Sequence, residues 1–229
     1  MTSALLLGHR GTPRLHPENS LAGFQAALDA GLDGVETDIR RLGDGGLVIC
    51  HDAQLKDGRK LSALNRADLP AYMPLLPEVL VWAAETGAYL NLEIKPEVGK
   101  GDGRTEETLD LVRAYGLTSQ VLVSSFSPLQ LLAAQQHAPQ IERGFLYHRT
   151  YHIGCDLVPE VARRLEVAAL HPHFRLITPE LMEMAAREGW RVNTWTINEA
   201  VQGRELLALG VAGLIGDVPE ELLSARAGV

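Results

Sequence analysis

Nine short apolar runs alternate along this chain with longer stretches of helical periodicity, and one connection between them is too short to hold a helix. The runs cover residues 4–9, 34–40, 47–51, 88–95, 121–125, 144–147, 167–171, 191–196 and 213–217. The helical stretches cover 20–30, 76–85, 105–115, 128–137, 159–165, 179–188, 199–209 and 219–225. Pro128, Pro159, Pro179 and Pro219 suit a first helical turn, where a missing N–H does no harm, and Asn19 or Ser20 can cap the first helix. Parallel neighbours need a crossover, whereas Arg41-Leu42-Gly43-Asp44-Gly45-Gly46 is a short glycine-rich link that suits a hairpin. The run at 47–51 should therefore fold back on the one before it. Removing it leaves eight β/α units, which predicts an α/β fold: a (β/α)8 TIM barrel with an extra hairpin strand and a short insertion, about residues 53–74, after the second barrel strand. An open doubly wound sheet would want a Gly-x-Gly-x-x-Gly turn after its first strand, and His9-Arg10-Gly11-Thr12 is not one.

A length of 229 residues fits one such barrel as a single domain. The net charge of −8 argues against nucleic acid or an anionic membrane as the main partner, though not against a locally positive pocket. The segment at 1–7 is too short for a signal peptide, and no apolar run reaches the length of a membrane span, so a cytoplasmic protein without stable membrane association is expected. Two cysteines, Cys50 and Cys155, make neither a disulfide framework nor a thiolate metal site, and Cys50 reads as a small buried hydrophobe. Gly99-Lys100-Gly101-Asp102-Gly103 lacks the ending of a phosphate-binding P-loop and reads as a connection.

Charge falls at the strand ends. His9-Arg10-Gly11, Glu36-Thr37-Asp38, His51-Asp52 and Glu93-Ile94-Lys95 each lie in or just past an apolar run. Side chains alternate along a strand, so Val35, Thr37 and Ile39 share one face and Glu36, Asp38 and Arg40 the other; Leu92 and Ile94 oppose Asn91, Glu93 and Lys95 in the same way. With the apolar sets facing the helices, the carboxylates face the barrel axis. Three carboxylates together repel; Arg10, Arg40 and Lys95 would offset them in part, and a hard divalent cation, Mg²⁺ or Ca²⁺, would do so better. A buried salt-bridge network without a metal is the alternative. His9 and His51 are the natural acid–base pair. Arg10 is placed to bind a phosphate or to pair with Glu18, and Trp195 to cover an apolar part of a ligand or to fill the core. His171 and His173 read as structural, and His16, His137, His148 and His152 have no evident partner in sequence.

These pieces, with Pro17-Glu18-Asn19-Ser20, Ser124-Ser125-Phe126, Val192-Asn193-Thr194-Trp195-Thr196 and Gly216-Asp217-x-Pro219, resemble in their order the glycerophosphodiester phosphodiesterase family. The resemblance implies a (β/α)8 barrel with a metal-dependent hydrolytic site. It implies Glu36, Asp38 and Glu93 as ligands of Mg²⁺ or Ca²⁺, His9 and His51 as the acid–base pair, Arg10 and Lys95 as phosphate-holding groups, and Glu18, Asn19 and Asp52 in support. The reaction expected is hydrolysis of a small-molecule glycerophosphodiester to sn-glycerol 3-phosphate and an alcohol. The alternatives are the same chemistry on lysophospholipids, releasing the head group, and a barrel that only binds phosphodiesters. Two departures stand out: Ser20 where the family usually has Thr, and an insertion after His51-Asp52 that is shorter than usual.

Overall fold

The computed structural model describes residues 4–96, 101–149 and 157–228. Nine strands, β1 (Leu5–His9), β2 (Gly34–Arg41), β3 (Leu47–Ile49), β4 (Tyr89–Ile94), β5 (Val121–Ser125), β6 (Glu142–Tyr147), β7 (Ala169–Pro172), β8 (Arg191–Thr194) and β9 (Gly213–Gly216), form one sheet. Its order is β1-β9-β8-β7-β6-β5-β4-β2-β3, and a further β1–β2 pairing closes it. Every pairing is parallel except β2–β3, which is antiparallel with Ile39 opposite Ile49. This is the closed eight-stranded parallel barrel with one hairpin strand that the spacing predicts. Among the described residues seven α-helices lie between strands, α1 (Leu21–Asp29), α2 (Leu76–Thr86), α3 (Arg104–Ala114), α4 (Pro128–His137), α5 (Val158–Arg164), α6 (Pro179–Glu188) and α7 (Ala200–Ala208), and an eighth, α8 (Pro219–Ala227), follows β9. None of the described helices is long and apolar enough to cross a membrane.

The strand faces divide as alternation requires. Val35, Ile39, Leu90, Leu92, Ile94, Val121 and Val123 are buried in one cluster with helix residues such as Phe24, Val79, Leu80 and Leu109. The inward-pointing set on β2 and β4 carries the charge. Ser20 supplies the first helix cap: its Oγ accepts the Gly23 N–H at 3.2 Å and donates to the Pro17 carbonyl at 2.6 Å. Gly11 is fixed by its backbone: at φ +86 a Cβ would meet the Gly23 carbonyl carbon at 2.8 Å. Between β3 and α2 the short insertion packs Leu61, Leu64 and Met73 against Leu42 and Val48, a small core of its own on the β2–β3 hairpin. Residues 99–100 of the glycine-rich connection, His152 and Cys155 lie outside the described residues. Cys50 is half-buried, and burial pushes its thiol up to about 11, which leaves it a poor nucleophile.

His171 is structural, as its sequence context suggests. It is fully buried, its Nε2 lies 3.0 Å from the Asn193 Nδ2, and burial, helped by the Arg191 charge, pushes its pKa down to about 3. The folded chain thus holds the ring neutral, while the unfolded chain protonates it below the ordinary histidine value. Its contribution is complete above that value and is lost as pH falls toward 3. We expect the stability difference between pH 7 and pH 4.5 to shrink by about 2–3 kcal/mol in His171→Gln, roughly 5–10 °C in Tm. Thermal melts of both proteins across that range check this; parallel curves would contradict it.

Candidate active site at the barrel mouth

Strand register assembles the site. On β1 and β2, His9 pairs with Glu36; on β2 and β4, Glu36 pairs with Asn91 and Asp38 with Glu93. Residues two apart on one strand and in register on the next must share one interior face, so the three carboxylates converge. One oxygen from each of Glu36, Asp38 and Glu93 lies within 4.8 Å of the others, and all three side chains are buried. Lys95 Nζ sits 2.8 Å from both Asp38 Oδ1 and Glu93 Oε1, and Arg10 Nε is 3.5 Å from Asp38 Oδ2. Asn19 completes the floor: its Nδ2 donates to Asp38 Oδ2 at 2.9 Å, and its Oδ1 accepts from Thr37 Oγ1 at 2.7 Å. Glu18 accepts from Arg10 Nη1 at 3.0 Å, so Arg10 both pairs with Glu18 and faces the cavity. Arg10 (φ 56) and Asn19 (φ 57) hold left-handed backbone, and the Asn19 N–H donates to the Arg10 carbonyl at 3.0 Å.

The electrostatics follow from crowding. Burial, then the Asp38 charge, pushes Glu36 up to about 8. Burial opposes ionisation of Asp38, but the charges of Lys95 and Arg10 outweigh it and hold its carboxyl well below the usual range. Burial raises Glu93 despite Lys95. A carboxyl placed like Glu36 is charged at neutral pH only beside a further positive charge. Three buried oxygen donors without thiolate or imidazole match a hard divalent cation, so the residues present fit such an ion. The two histidines diverge. Burial works against the charged form of His9, but a hydrogen bond to Asp217 and the Glu36 charge raise it; burial, with the Lys95 and Arg10 charges, lowers His51. His9 Nδ1 is 2.7 Å from Asp217 Oδ1, and His51 Nδ1 is 2.8 Å from the exposed Asp52.

These groups share one cavity of about 380 Å³. One wall carries His9, Arg10, Glu36, His51, Asn91, Glu93 and Lys95; the other carries Phe126, Leu146, His148, His173, Trp195 and Ile215. Asp38 lies beneath, behind Lys95. Trp195 lies one residue beyond β8 rather than inside the barrel core. Its Nε1 donates to the His171 carbonyl at 3.0 Å, its ring meets Phe126 edge-on at 5.7 Å, and its flank faces the cavity. His173 differs from its expected structural role: it lines the cavity and packs on Trp195, 5.2 Å between ring centres. Arg40 differs too. It does not line the cavity, and its Nε donates to the His51 carbonyl at 2.7 Å. In sequence Phe126 and Asp217 stand out only as members of motifs without an assigned role and His148 has no evident partner, yet each is the first residue past a strand.

Oxygen donors for a hard cation, proton-transfer groups and anion-binding cations at the C-terminal rim of a parallel barrel are the equipment of a barrel hydrolase of anionic esters. The chain belongs to the glycerophosphoryl diester phosphodiesterase family, whose model matches residues 9–221. It is 30% identical to a glycerophosphodiester phosphodiesterase of Caldanaerobacter subterraneus subsp. tengcongensis over 240 residues, 96% of each chain. A solved phosphodiesterase of Oleispira antarctica, in complex with the product sn-glycerol-3-phosphate, is 26% identical with a TM-score of 0.81, covering 98% of this chain and 97% of that one. The glycerophosphodiester phosphodiesterase of Thermotoga maritima shares the fold at 23% identity, TM-score 0.80, covering 99% of each chain.

Proposed function

We propose that this protein hydrolyses glycerophosphodiesters to sn-glycerol 3-phosphate and an alcohol, with Glu36, Asp38 and Glu93 holding a Mg²⁺ or Ca²⁺ ion and His9 and His51 moving the protons. The observation that carries this reading is the clustering of the three carboxylates beside one cavity that Glu36, Glu93, both imidazoles and two cations line. A bound divalent ion supplies Lewis-acid neutralisation of phosphate oxygens. Arg10 and Lys95 bind and orient the phosphodiester and offset charge as it develops. His51, whose proton affinity is lowered, takes the proton of the attacking oxygen, which is either the neighbouring glycerol hydroxyl or water. That oxygen bonds to phosphorus, the bond from phosphorus to the alcohol oxygen breaks, and His9, whose proton affinity is raised, protonates the departing oxygen. Where the glycerol hydroxyl attacks, the product is a cyclic phosphate, and water deprotonated by the now neutral His9 then adds to phosphorus while His51 protonates the released glycerol oxygen, giving glycerol 3-phosphate. Phe126, Trp195 and Ile215 give the opposite wall an apolar surface for the rest of the substrate.

A panel of glycerophosphodiesters assayed for released glycerol 3-phosphate, with and without EDTA, tests the reading. Release that EDTA abolishes is the expected result; binding without cleavage in the presence of Mg²⁺ or Ca²⁺ would overturn it. One observation favours a second reading, the same chemistry on lysophospholipids. Among the described residues the five most exposed large apolar side chains are Leu129, Leu15, Val201, Leu157 and Tyr72. Leu15 and Tyr72 lie in loops that follow strand C-termini, and Leu129, Leu157 and Val201 lie at the starts of helices that begin at the mouth. Turnover of lysophosphatidylcholine faster than that of glycerophosphocholine would favour the lipid.

A further inference from the structure

Asp217 follows β9, 208 residues beyond His9 in sequence, yet the barrel closure between β1 and β9 brings the two side by side. Its Oδ1 lies 2.7 Å from His9 Nδ1. Its other oxygen, Oδ2, accepts from Asn198 Nδ2 at 2.7 Å, and its own backbone N–H donates to Asn198 Oδ1 at 2.8 Å. Asn198 is therefore fixed in one amide orientation, and it fixes the carboxylate in turn. The far nitrogen of His9 points the other way: Nε2 lies 3.9 Å from Glu36 Oε2, on the metal-ligand side of the cavity. His51 has a similar partner in Asp52, but Asp52 is its immediate neighbour and its side chain is 69% exposed, against 21% for Asp217.

We propose that Asp217, clamped by Asn198, is a positioning residue that keeps a proton on His9 Nδ1 and so leaves Nε2 as the nitrogen that hands a proton to the leaving alcohol. The inference rests on the phosphodiesterase reading above and extends it to a residue that touches no substrate. A carboxylate accepts hydrogen bonds only, so the Nδ1 facing Asp217 carries the hydrogen. After Nε2 gives up its proton to the departing oxygen, the ring remains neutral in the same tautomer, ready to be recharged at Nε2. Asp217→Asn reverses this. Asn198 Nδ2 still needs an acceptor, so the new amide turns its oxygen to Asn198 and its NH₂ toward His9. His9 Nδ1 must then accept, and the proton of the neutral ring moves to Nε2. The same exchange in the serine-protease triad drops kcat by about 10⁴-fold through the wrong tautomer.

The test compares glycerophosphocholine with the p-nitrophenyl diester of glycerol 3-phosphate, whose leaving phenol is far more acidic and departs without a proton. We expect Asp217→Asn to lower kcat on glycerophosphocholine by about 10²–10⁴-fold with KM within about twofold, and to lower the p-nitrophenyl rate by less than about tenfold. Asn198→Ala, which frees the carboxylate but keeps its charge, should show the same substrate contrast at smaller amplitude. In the wild-type protein, ¹⁵N NMR should show His9 with a protonated Nδ1 in a deshielded, strongly hydrogen-bonded environment, a readout that stands even if a variant fails to fold. Equal losses on both diesters, an effect on KM alone, or a wild-type His9 protonated only on Nε2 would overturn the assignment to Asp217. A wild-type protein that cleaves neither diester would instead overturn the phosphodiesterase reading beneath it.

Discussion

His9→Ala and His51→Ala should each lower kcat on a glycerophosphodiester by about 10²–10⁴-fold, with cooperative unfolding retained. Both imidazoles sit at the mouth and line the cavity rather than fill the apolar core, so truncation removes a proton carrier and not a packing element. In the proposed reaction their roles differ because their surroundings differ. Asp217 and Glu36 favour the protonated form of His9, whereas burial beside Lys95 and Arg10 favours the neutral form of His51. A group that holds its proton serves as acid and one that sheds it serves as base. Because the two act in one step, the double variant should fall far less than the product of the single losses. Steady-state kinetics on the three variants, with melting curves beside them, decide the matter. A near-normal rate in either single variant would remove that histidine from the chemistry.

The barrel itself was legible because two local signals agree: apolar runs of strand length, and a link at 41–46 too short for any parallel crossover. The antiparallel pairing of Arg41 with Leu47 follows from those glycines. The carboxylate triad was legible because a period of two cannot place Val35 and Ile39 against the helices without turning Glu36 and Asp38 inward. What stayed hidden, the part of Phe126, His148, His173 and Asp217, depends on where each strand ends. The first residue past β1, β4, β5, β6, β7, β8 and β9 is Arg10, Lys95, Phe126, His148, His173, Trp195 and Asp217, and each of these either lines the cavity or bonds a residue that does. Ending the seventh run at His171 and the eighth at Thr196 blurs that ring. Hydrogen bonding decides the ends: His171 and Pro172 still pair with Leu146 and Tyr147, whereas Thr194 is the last β8 residue paired to β9. Arg40 was misplaced for a related reason, since β2 extends past the barrel into the hairpin and carries that side chain toward the His51 carbonyl. The His9–Asp217 contact spans most of the chain, and no local pattern encodes it.

Lys95→Met should be the most destabilising single change at the site, at about 3–5 kcal/mol, because it leaves buried carboxylates without their cation. Lys95 is only 6% exposed and lies 2.8 Å from both Asp38 and Glu93, so its loss strips a close counter-charge from two buried carboxylates. At two to four degrees per kcal/mol for a chain of this size, the Tm should drop by roughly 6–20 °C at neutral pH. The sign with pH is fixed by the carboxylates. Lys95 depresses Asp38, so the stability that the pair contributes is present above the ordinary aspartate range and fades as pH falls and the carboxyls protonate. The deficit of the variant should accordingly narrow in acid. Added Mg²⁺ or Ca²⁺ should raise the Tm of Lys95→Met more than that of the wild type, because an ion held by Glu36, Asp38 and Glu93 no longer faces the Lys95 ammonium. Differential scanning calorimetry of both proteins with EDTA and with each ion separates the outcomes. A Tm that drops but ignores divalent ions would leave Lys95 and Arg10 as the counter-charges and the triad as a salt-bridge network; a Tm that does not drop would mean that the carboxylates carry protons rather than charge.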